Sequence, residues 1–410
     1  MTRGRGAIAA TWLLAAVLGA AALAHAAGPR VSRLHFGDFF VYWTAGRAFV
    51  EGANPYDPAV LRAIALREGL PHPTLLWNPP WIFSLLAPFA VLPFAFAAVA
   101  WASMNVALLL LASRVAGSRL DLPDFWAMVL GLTFVPAMIT LGMGQITLLP
   151  LAGAVLYAGA VVRRRPALAG AGLALCAIKP HLVGLLWLTP FLIEEKRDRL
   201  RVLLGLATIL GALMLAALAW HPDLFAQYRA ALRDPRETPP TEFFSASLGS
   251  WLRVAIAGDA SPWLQFVPFA VGLGWFLWRY RRGRGAEPFD RSCGLALLVS
   301  ALAVPYAWHY DQATLLPVYL WLWALAAWPG ANRIARWRRV VIGLGLVTLD
   351  LGTAAMVGMG TPERYYVVWP WVLAGLAWLA SREGGSHHGS CRPVLRAGPP
   401  GRIDSGSFPG

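Results

Sequence analysis

PPWIFSLLAPFAVLPFAFAAVAWASMNVALLLLAS, residues 79–113, contains no Asp, Glu, Lys or Arg. A helix rises about 1.5 Å per residue, so about 20 apolar residues cross a hydrocarbon core of about 30 Å. The stretch is therefore long for one crossing and short for two. Pro88 and Pro93 interrupt it, and proline inside a helix kinks or breaks it. The reading is a short lip or re-entrant helix followed by one full span. Arg114 and Arg119 then mark the inner side, because cationic residues gather at the cytoplasmic ends of spans.

Further apolar runs extend this reading along the chain. They lie at about 7–26, 125–141, 145–162, 202–220, 263–279, 292–307, 313–328, 340–358 and 366–380. Two shorter runs, 166–178 and 182–193, predict a hairpin with Lys179-Pro180-His181 at its apex. Inner loops carry Arg163, Arg164 and Arg165, then the arginines of 279–284 and 333–339. Both termini fall inside, which needs an even number of crossings. The expected architecture is an all-α polytopic membrane protein with about 12 transmembrane helices. The single transmembrane domain covers 1–381, with external segments 27–78 and 221–262. Residues 382–410, rich in Gly, Ser, Pro and Arg, read as a disordered cytoplasmic tail.

Composition agrees. The 410 residues are 58% hydrophobic and only 14% charged. A soluble domain is about a quarter charged, so this chain cannot cover itself with a water-facing surface. Mean hydropathy is +0.55. Twenty Trp residues suit two interfacial belts. The net charge of +14 is spread over short loops, which fits positive-inside loops and argues against nucleic-acid binding. Cys176, Cys293 and Cys391 have no metal spacing and no disulfide pattern. His387, His388 and Cys391 in the tail also lack ligand spacing. Arg3 and Arg5 precede the first apolar run, which ends near Ala24-His25-Ala26. A retained first helix is expected there, with a cleavable signal peptide as the alternative.

No soluble catalytic signature is present. The polar residues that stand out flank apolar runs, where ionisable groups point to function. Asp38 lies among aromatics in His35-Phe36-Gly37-Asp38-Phe39-Phe40. Partial burial raises a carboxyl pKa and makes a better base, while the bland reading of Asp38 is an N-cap for a helix over 39–51. Gly52-Ala53-Asn54-Pro55-Tyr56-Asp57 is a turn. Trp77-Asn78-Pro79-Pro80-Trp81 leads into the membrane. Gly142-Met143-Gly144-Gln145 joins two spans. Lys179 needs an anion or must snorkel. Residues 243–253, including Ser247 and Arg253, read as an amphipathic surface helix with Arg253 facing anionic groups. Trp308-His309-Tyr310-Asp311 sits between spans, with Asp311 as a cap. All of these fall on the outer side. A pore spreads polar groups at successive depths, and a transporter shows inverted repeats. Clustering at one face favours an enzyme acting at the outer leaflet over a transporter or flippase of a lipid-linked saccharide.

The ordered set of these motifs resembles glycosyltransferase family 87, the polyprenyl-phosphate-mannose-dependent α-mannosyltransferase-like proteins of the GT-C fold. The motifs are Gly37-Asp38 with Tyr42, the 52–57 turn, Pro79, the 142–145 turn, Lys179-Pro180, Ser247-Leu248 and Trp308-His309. The resemblance implies a GT-C-like bundle in the cell (inner) membrane. It implies inverting transfer of a sugar, mannose by family default, from a polyprenyl-phosphate donor to a lipid or glycan acceptor. Asp38 would be the general base and His309 would assist. Lys179, with Arg253, would meet the donor phosphate. Tyr42, Asn54, Tyr56, Asn78, Gln145, Ser247 and Trp308 would contact substrate. Trp77 and Thr147 depart from the Tyr and Asn common in the family, which leaves the sugar open. No nucleotide site is required, and a divalent metal stays open, with Asp38, Asp57 and Asp311 as the available oxygen ligands.

Overall fold

A computed structural model describes residues 37–71, 73–234, 238–257, 261–283, 289–327 and 335–381. The expected first helix at 7–26, its Ala24-His25-Ala26 site and the tail with His387, His388 and Cys391 lie outside the described residues. The described chain is helical and contains no strand. In chain order, the first elements are α1 (Phe39–Val50), α2 (Pro58–Arg67), α3 (Phe83–Ala90) and α4 (Phe94–Ser118). There follow α5 (Asp124–Thr133), α6 (Val135–Gly142), α7 (Leu148–Val162), α8 (Pro166–Cys176) and α9 (Lys196–Trp220). The set closes with α10 (Leu224–Ala231), α11 (Leu248–Ala257), α12 (Val267–Gly283), α13 (Phe289–Ala303), α14 (Leu316–Ala327), α15 (Arg336–Gly358) and α16 (Val368–Ser381).

The apolar run at 79–113 breaks at Pro93, whereas Pro88 lies inside α3, which continues through it to Ala90. α3 ends before Pro93, and α4 begins directly after it. The carbonyls released at the break are not left bare. The Trp43 indole donates to Leu92 O at 3.1 Å, and the Arg47 guanidinium donates to Ala90 O at 3.2 Å. α1 is thereby fixed against the break, over a core of Phe39, Trp43, Phe83, Leu86 and Trp101.

The predicted span at 125–141 is instead two helices bent by 66° at Phe134. Pro136 stands in the first turn of α6 and cannot donate to the preceding turn. The exposed helix start recruits a carboxylate from α15: Val135 N donates to Asp350 Oδ1 at 3.2 Å, and the Tyr319 hydroxyl donates to Asp350 Oδ2. Asp350 is thus a cap supplied from a distant helix, deep in an apolar run.

Among the described residues, α4, α9 and α15 are each long and apolar enough to cross a membrane, and the bent α5–α6 pair adds a fourth if it forms one broken span and not a re-entrant loop. α7, α8 and the apolar part of α13 are shorter. A hydropathy window sums apolar residues across a break, whereas a single helix ends at it. The 166–193 region is one helix, α8, followed by 3-10 turns at Pro180–Val183 and Leu186–Leu192. α8 packs closely on α7, and a Cβ added at Gly172 would lie 2.6 Å from Gly153 O. Small residues at such crossings let helices in lipid approach each other.

The described parts of the two segments expected to be external, 27–78 and 221–262, are partly helical. In the first, Asp57 caps α2 by accepting from Ala59 N at 2.8 Å, and Asn54 Oδ1 accepts from Tyr56 N at 2.9 Å. The second differs from the amphipathic surface helix expected over 243–253. The helix begins only at Leu248, and Ser245, Ser247, Ser250 and Arg253 are buried. Arg253 turns inward because Glu242 and Phe243 present carbonyls to it, at 2.8 and 3.4 Å.

Candidate active site

Four loops converge at one end of the bundle. They precede α1, join α6 to α7, follow α8, and join α13 to α14. Each delivers one polar residue of the site.

Asp38 arrives first. Gly37 has φ of +33°, and a Cβ there would lie 2.5 Å from Met143 O. Only glycine allows this approach. It lets Asp38 N donate to Met143 O at 2.7 Å. The facing turn is fixed by Gly144, at φ of +63°, whose carbonyl accepts from the Trp101 indole at 2.7 Å. Asp38 stands at the helix-start position of α1, yet its side chain makes no cap bond. Its carboxylate instead accepts from Gln145 Nε2. Of the two readings of Asp38, the cap is the one that its side chain does not perform.

Gln145 is held in one orientation. Its Oε1 accepts from the Tyr42 hydroxyl at 2.6 Å and from Lys179 Nζ at 3.0 Å. Both are donors, so Oε1 must face them and Nε2 must face Asp38.

Lys179 follows the end of α8, and its carbonyl neighbours are tied down by the 77–81 segment. Asn78 Nδ2 donates to Ile178 O at 3.2 Å and the Trp81 indole donates to Ala177 O at 3.3 Å. These bonds satisfy carbonyls that a helix end leaves orphaned. Tyr56 donates to Asn78 O at 3.0 Å, which clasps the 52–57 turn to the same point. Lys179 Nζ then donates to Gln145 Oε1, to Thr147 Oγ1 at 3.1 Å and to Asp311 Oδ1 at 2.8 Å. An ammonium has three N–H groups, and all three are engaged. The Tyr310 ring lies 5.1 Å from the ammonium.

Asp311 also accepts from Thr147 Oγ1 at 2.7 Å and from Trp308 N at 3.1 Å. It is therefore both the cap expected from sequence and the counter-charge of Lys179. Burial raises its carboxyl pKa, but the Lys179 charge and hydrogen bond outweigh burial and hold it below the usual carboxylate value. Asp38 goes the other way. Burial, together with the Asp311 charge, keeps its pKa above the usual value despite Gln145 and Lys179. The pKa values of two carboxyls in one cluster are thus pushed apart, that of Asp311 below the usual value and that of Asp38 above it.

The remaining sequence candidates sit around this core. His309 Nδ1 pairs with Glu363 at 2.6 Å, and its ring leans on Tyr366 at 4.7 Å. It adjoins Tyr310, whose hydroxyl faces Asp38. Trp308 packs edge-on against Phe243 at 5.5 Å. Ser247 donates to Pro305 O at 2.9 Å, tying the segment before α11 to the 305–311 loop. Asn54 and Asp57 serve their own turn and lie outside the network. Among the described residues, no three His, Cys, Asp or Glu side chains converge on a metal-sized point. Tyr310 and Glu363 were not singled out as site residues from sequence, Thr147 only as a family departure at the sugar pocket, and Asp311 only as a cap or a metal ligand. One signal did point to Asp311: a lysine in an apolar apex requires a buried anion.

Residues 76–305, more than half of the chain, match the model of glycosyltransferase family 87. Gln145, Lys179, Ser247 and Arg253 fall inside the matched segment, and Asp38, His309 and Asp311 fall outside it. No curated protein and no solved structure matches the chain.

Proposed function

Because the chain belongs to glycosyltransferase family 87, we propose that this membrane glycosyltransferase uses a polyprenyl-phosphate-linked sugar. The sugar passes to an acceptor hydroxyl at the outer face, with inversion and with Asp38 as general base. Mannose is the family default for the sugar. The observation that carries the reading is the Asp38–Gln145–Lys179 relay. The Gln145 amide holds one oxygen of a carboxylate whose pKa is raised, and the Tyr310 hydroxyl also faces that carboxylate.

In the step, the acceptor O–H proton passes to Asp38. The acceptor oxygen attacks the anomeric carbon from the face opposite the phosphate. The bond from that carbon to the phosphate oxygen breaks, and the lipid phosphate leaves with the electron pair. General base catalysis contributes roughly 10²–10⁴-fold. The Lys179 ammonium meets the leaving phosphate by giving up its bond to Thr147, the one neutral hydroxyl among its three acceptors. Its charge then stabilises what develops on the phosphate. Arg253 supports the 242–253 segment in this scheme. His309 assists through Tyr310, with Glu363 orienting its ring.

The membrane setting follows the same reading. The bundle is GT-C-like, with its active end at the outer face of the cell membrane and its termini in the cytoplasm. Arg119, Arg163, Arg164, Arg165, Arg279 and Arg282 lie at the end opposite Asp38, as cytoplasmic ends require. The test is transfer of radiolabelled sugar by purified protein, using a panel of polyprenyl-phosphate and nucleotide-linked donors. Transfer from a polyprenyl-phosphate donor alone is expected. Transfer from nucleotide-linked donors, or movement of lipid-linked sugar across proteoliposomes without transfer, contradicts the reading.

A further inference from the structure

One polar side chain beside Lys179 has no task in the mechanism above. His181 lies two residues on, in the 3-10 turn Pro180–Val183. Its ring is stacked on that of Tyr306, with centroids 4.3 Å apart and planes inclined by 28°. Lys179 and Asp311 are close enough for both charges to act on it. Two loops hold the stacked pair. The Trp187 indole donates to Pro180 O at 3.3 Å, next to His181. On either side of Tyr306, Ser247 donates to Pro305 O at 2.9 Å and Ala246 N donates to Ala307 O at 2.9 Å. The two rings are thus aligned by backbone bonds that they do not make themselves.

The two ring nitrogens are not equivalent. Nδ1 lies 3.4 Å from the Tyr306 hydroxyl. Nε2 makes no hydrogen bond to any described residue, and His181 is half-buried. When the hydroxyl donates to Nδ1, the ring proton sits on Nε2, which is then a neutral donor. The phosphate side of the site is short of such donors. The Lys179 charge is matched by Asp311, and its three N–H groups are all engaged. Releasing Thr147 offers a phosphate one N–H, whereas a phosphate has several strong acceptor oxygens. A second cation beside Lys179 would be opposed by like charge. A neutral imidazole adds a donor without that cost.

We propose that His181 donates from Nε2 to the phosphate of the lipid-linked sugar, and that Tyr306 is the positioning residue that fixes its tautomer. The assignment rests on the reading of a polyprenyl-phosphate donor. No bond is made or broken at His181. It gives a hydrogen bond and keeps its proton, while the phosphate leaves with the electron pair of the bond to the sugar.

The test measures binding of polyprenyl phosphate, and of polyprenol with the same chain, to the full protein in phosphatidylcholine nanodiscs. The wild type should prefer the phosphate by at least about tenfold. His181→Phe keeps a ring against Tyr306. It should lose about tenfold in affinity for the phosphate and nothing for the polyprenol. His181→Gln places an amide N–H near the position of Nε2 and should keep most of the preference. His181→Asn places one near Nδ1 and should lose it. Tyr306→Phe keeps the stack and should lose part of it. Equal losses for both ligands, a preference unchanged in His181→Phe, matching behaviour of the Gln and Asn variants, or displacement of the lipid by equimolar inorganic phosphate would overturn the assignment. Sugar transfer by the wild type with an unchanged His181→Phe preference would remove this contact and leave the donor reading standing. A His181-dependent preference without sugar transfer would do the reverse.

Discussion

Lys179 and Asp311 lie 132 positions apart in the chain, yet their side chains meet at 2.8 Å with only 10% and 2% of their surfaces exposed. An ion pair so enclosed cannot lose one member cheaply, because the survivor is a charge without water. Lys179→Met and Asp311→Asn should each cost about 3–5 kcal/mol. Lys179→Met/Asp311→Leu should recover most of that loss, since neither charge remains. Thermal unfolding of the detergent-solubilised protein measures all three. The pH dependence has a definite sign. The Asp311 pKa is lowered in the folded state, so its stabilisation is present above the usual carboxylate value of about 3.9. It is lost as pH falls below that value, and Asp311→Asn should lose this acid-dependent component.

Asp38 has the opposite sign. Its pKa is raised in the folded state, so its ionised form opposes folding above the usual carboxylate value. Asp38→Asn mimics the protonated form and can still accept from Gln145. It should raise the melting temperature at neutral pH while lowering sugar transfer by about 10²–10⁴-fold. A mutant less stable than wild type at neutral pH would contradict the assignment of burial as the dominant influence.

The Gln145 amide lowers the Asp38 pKa against that burial. Gln145→Leu removes it, so the acid limb of the rate profile should move to higher pH. The plateau rate should also fall, because the carboxylate loses its fixed orientation. A drop in rate with an unmoved acid limb would make Gln145 a substrate contact and not an orienter of Asp38.

Arg253 is 2% exposed and donates to carbonyls of Glu242 and Phe243. Arg253→Met should lower stability by about 1–3 kcal/mol, the cost of buried polar groups left unmade. The donor KM of the folded fraction should stay within about twofold. A large rise in donor KM at unchanged stability would return Arg253 to the phosphate.

The sequence made the local features legible. Pro93 marked the break between α3 and α4 because proline acts on its own turn, whereas Pro88, also read as an interruption, is carried inside α3. Asp57 and Asn54 read as turn residues for the same reason. The Phe134 bend was missed because apolarity continues through it, and only the Asp350 cap from another helix makes the break tolerable. Asp38, Gln145 and Lys179 each stood out singly as polar groups beside apolar runs. Their connection did not, since it depends on loop ends meeting across 107 residues from Asp38 to Gln145 and 34 from Gln145 to Lys179. Arg253 was read as outward-facing from an amphipathic pattern, and a pattern does not reveal which carbonyls a buried guanidinium will find.

The most direct test of the account is single-turnover transfer from a polyprenyl-phosphate sugar by wild type and Asp38→Asn, prepared in the same membrane and matched for folded protein. The account predicts a loss of at least about a hundredfold in the variant, with donor still bound. Equal rates in the two proteins would remove Asp38 as the base and with it the mechanism built on the Gln145 relay.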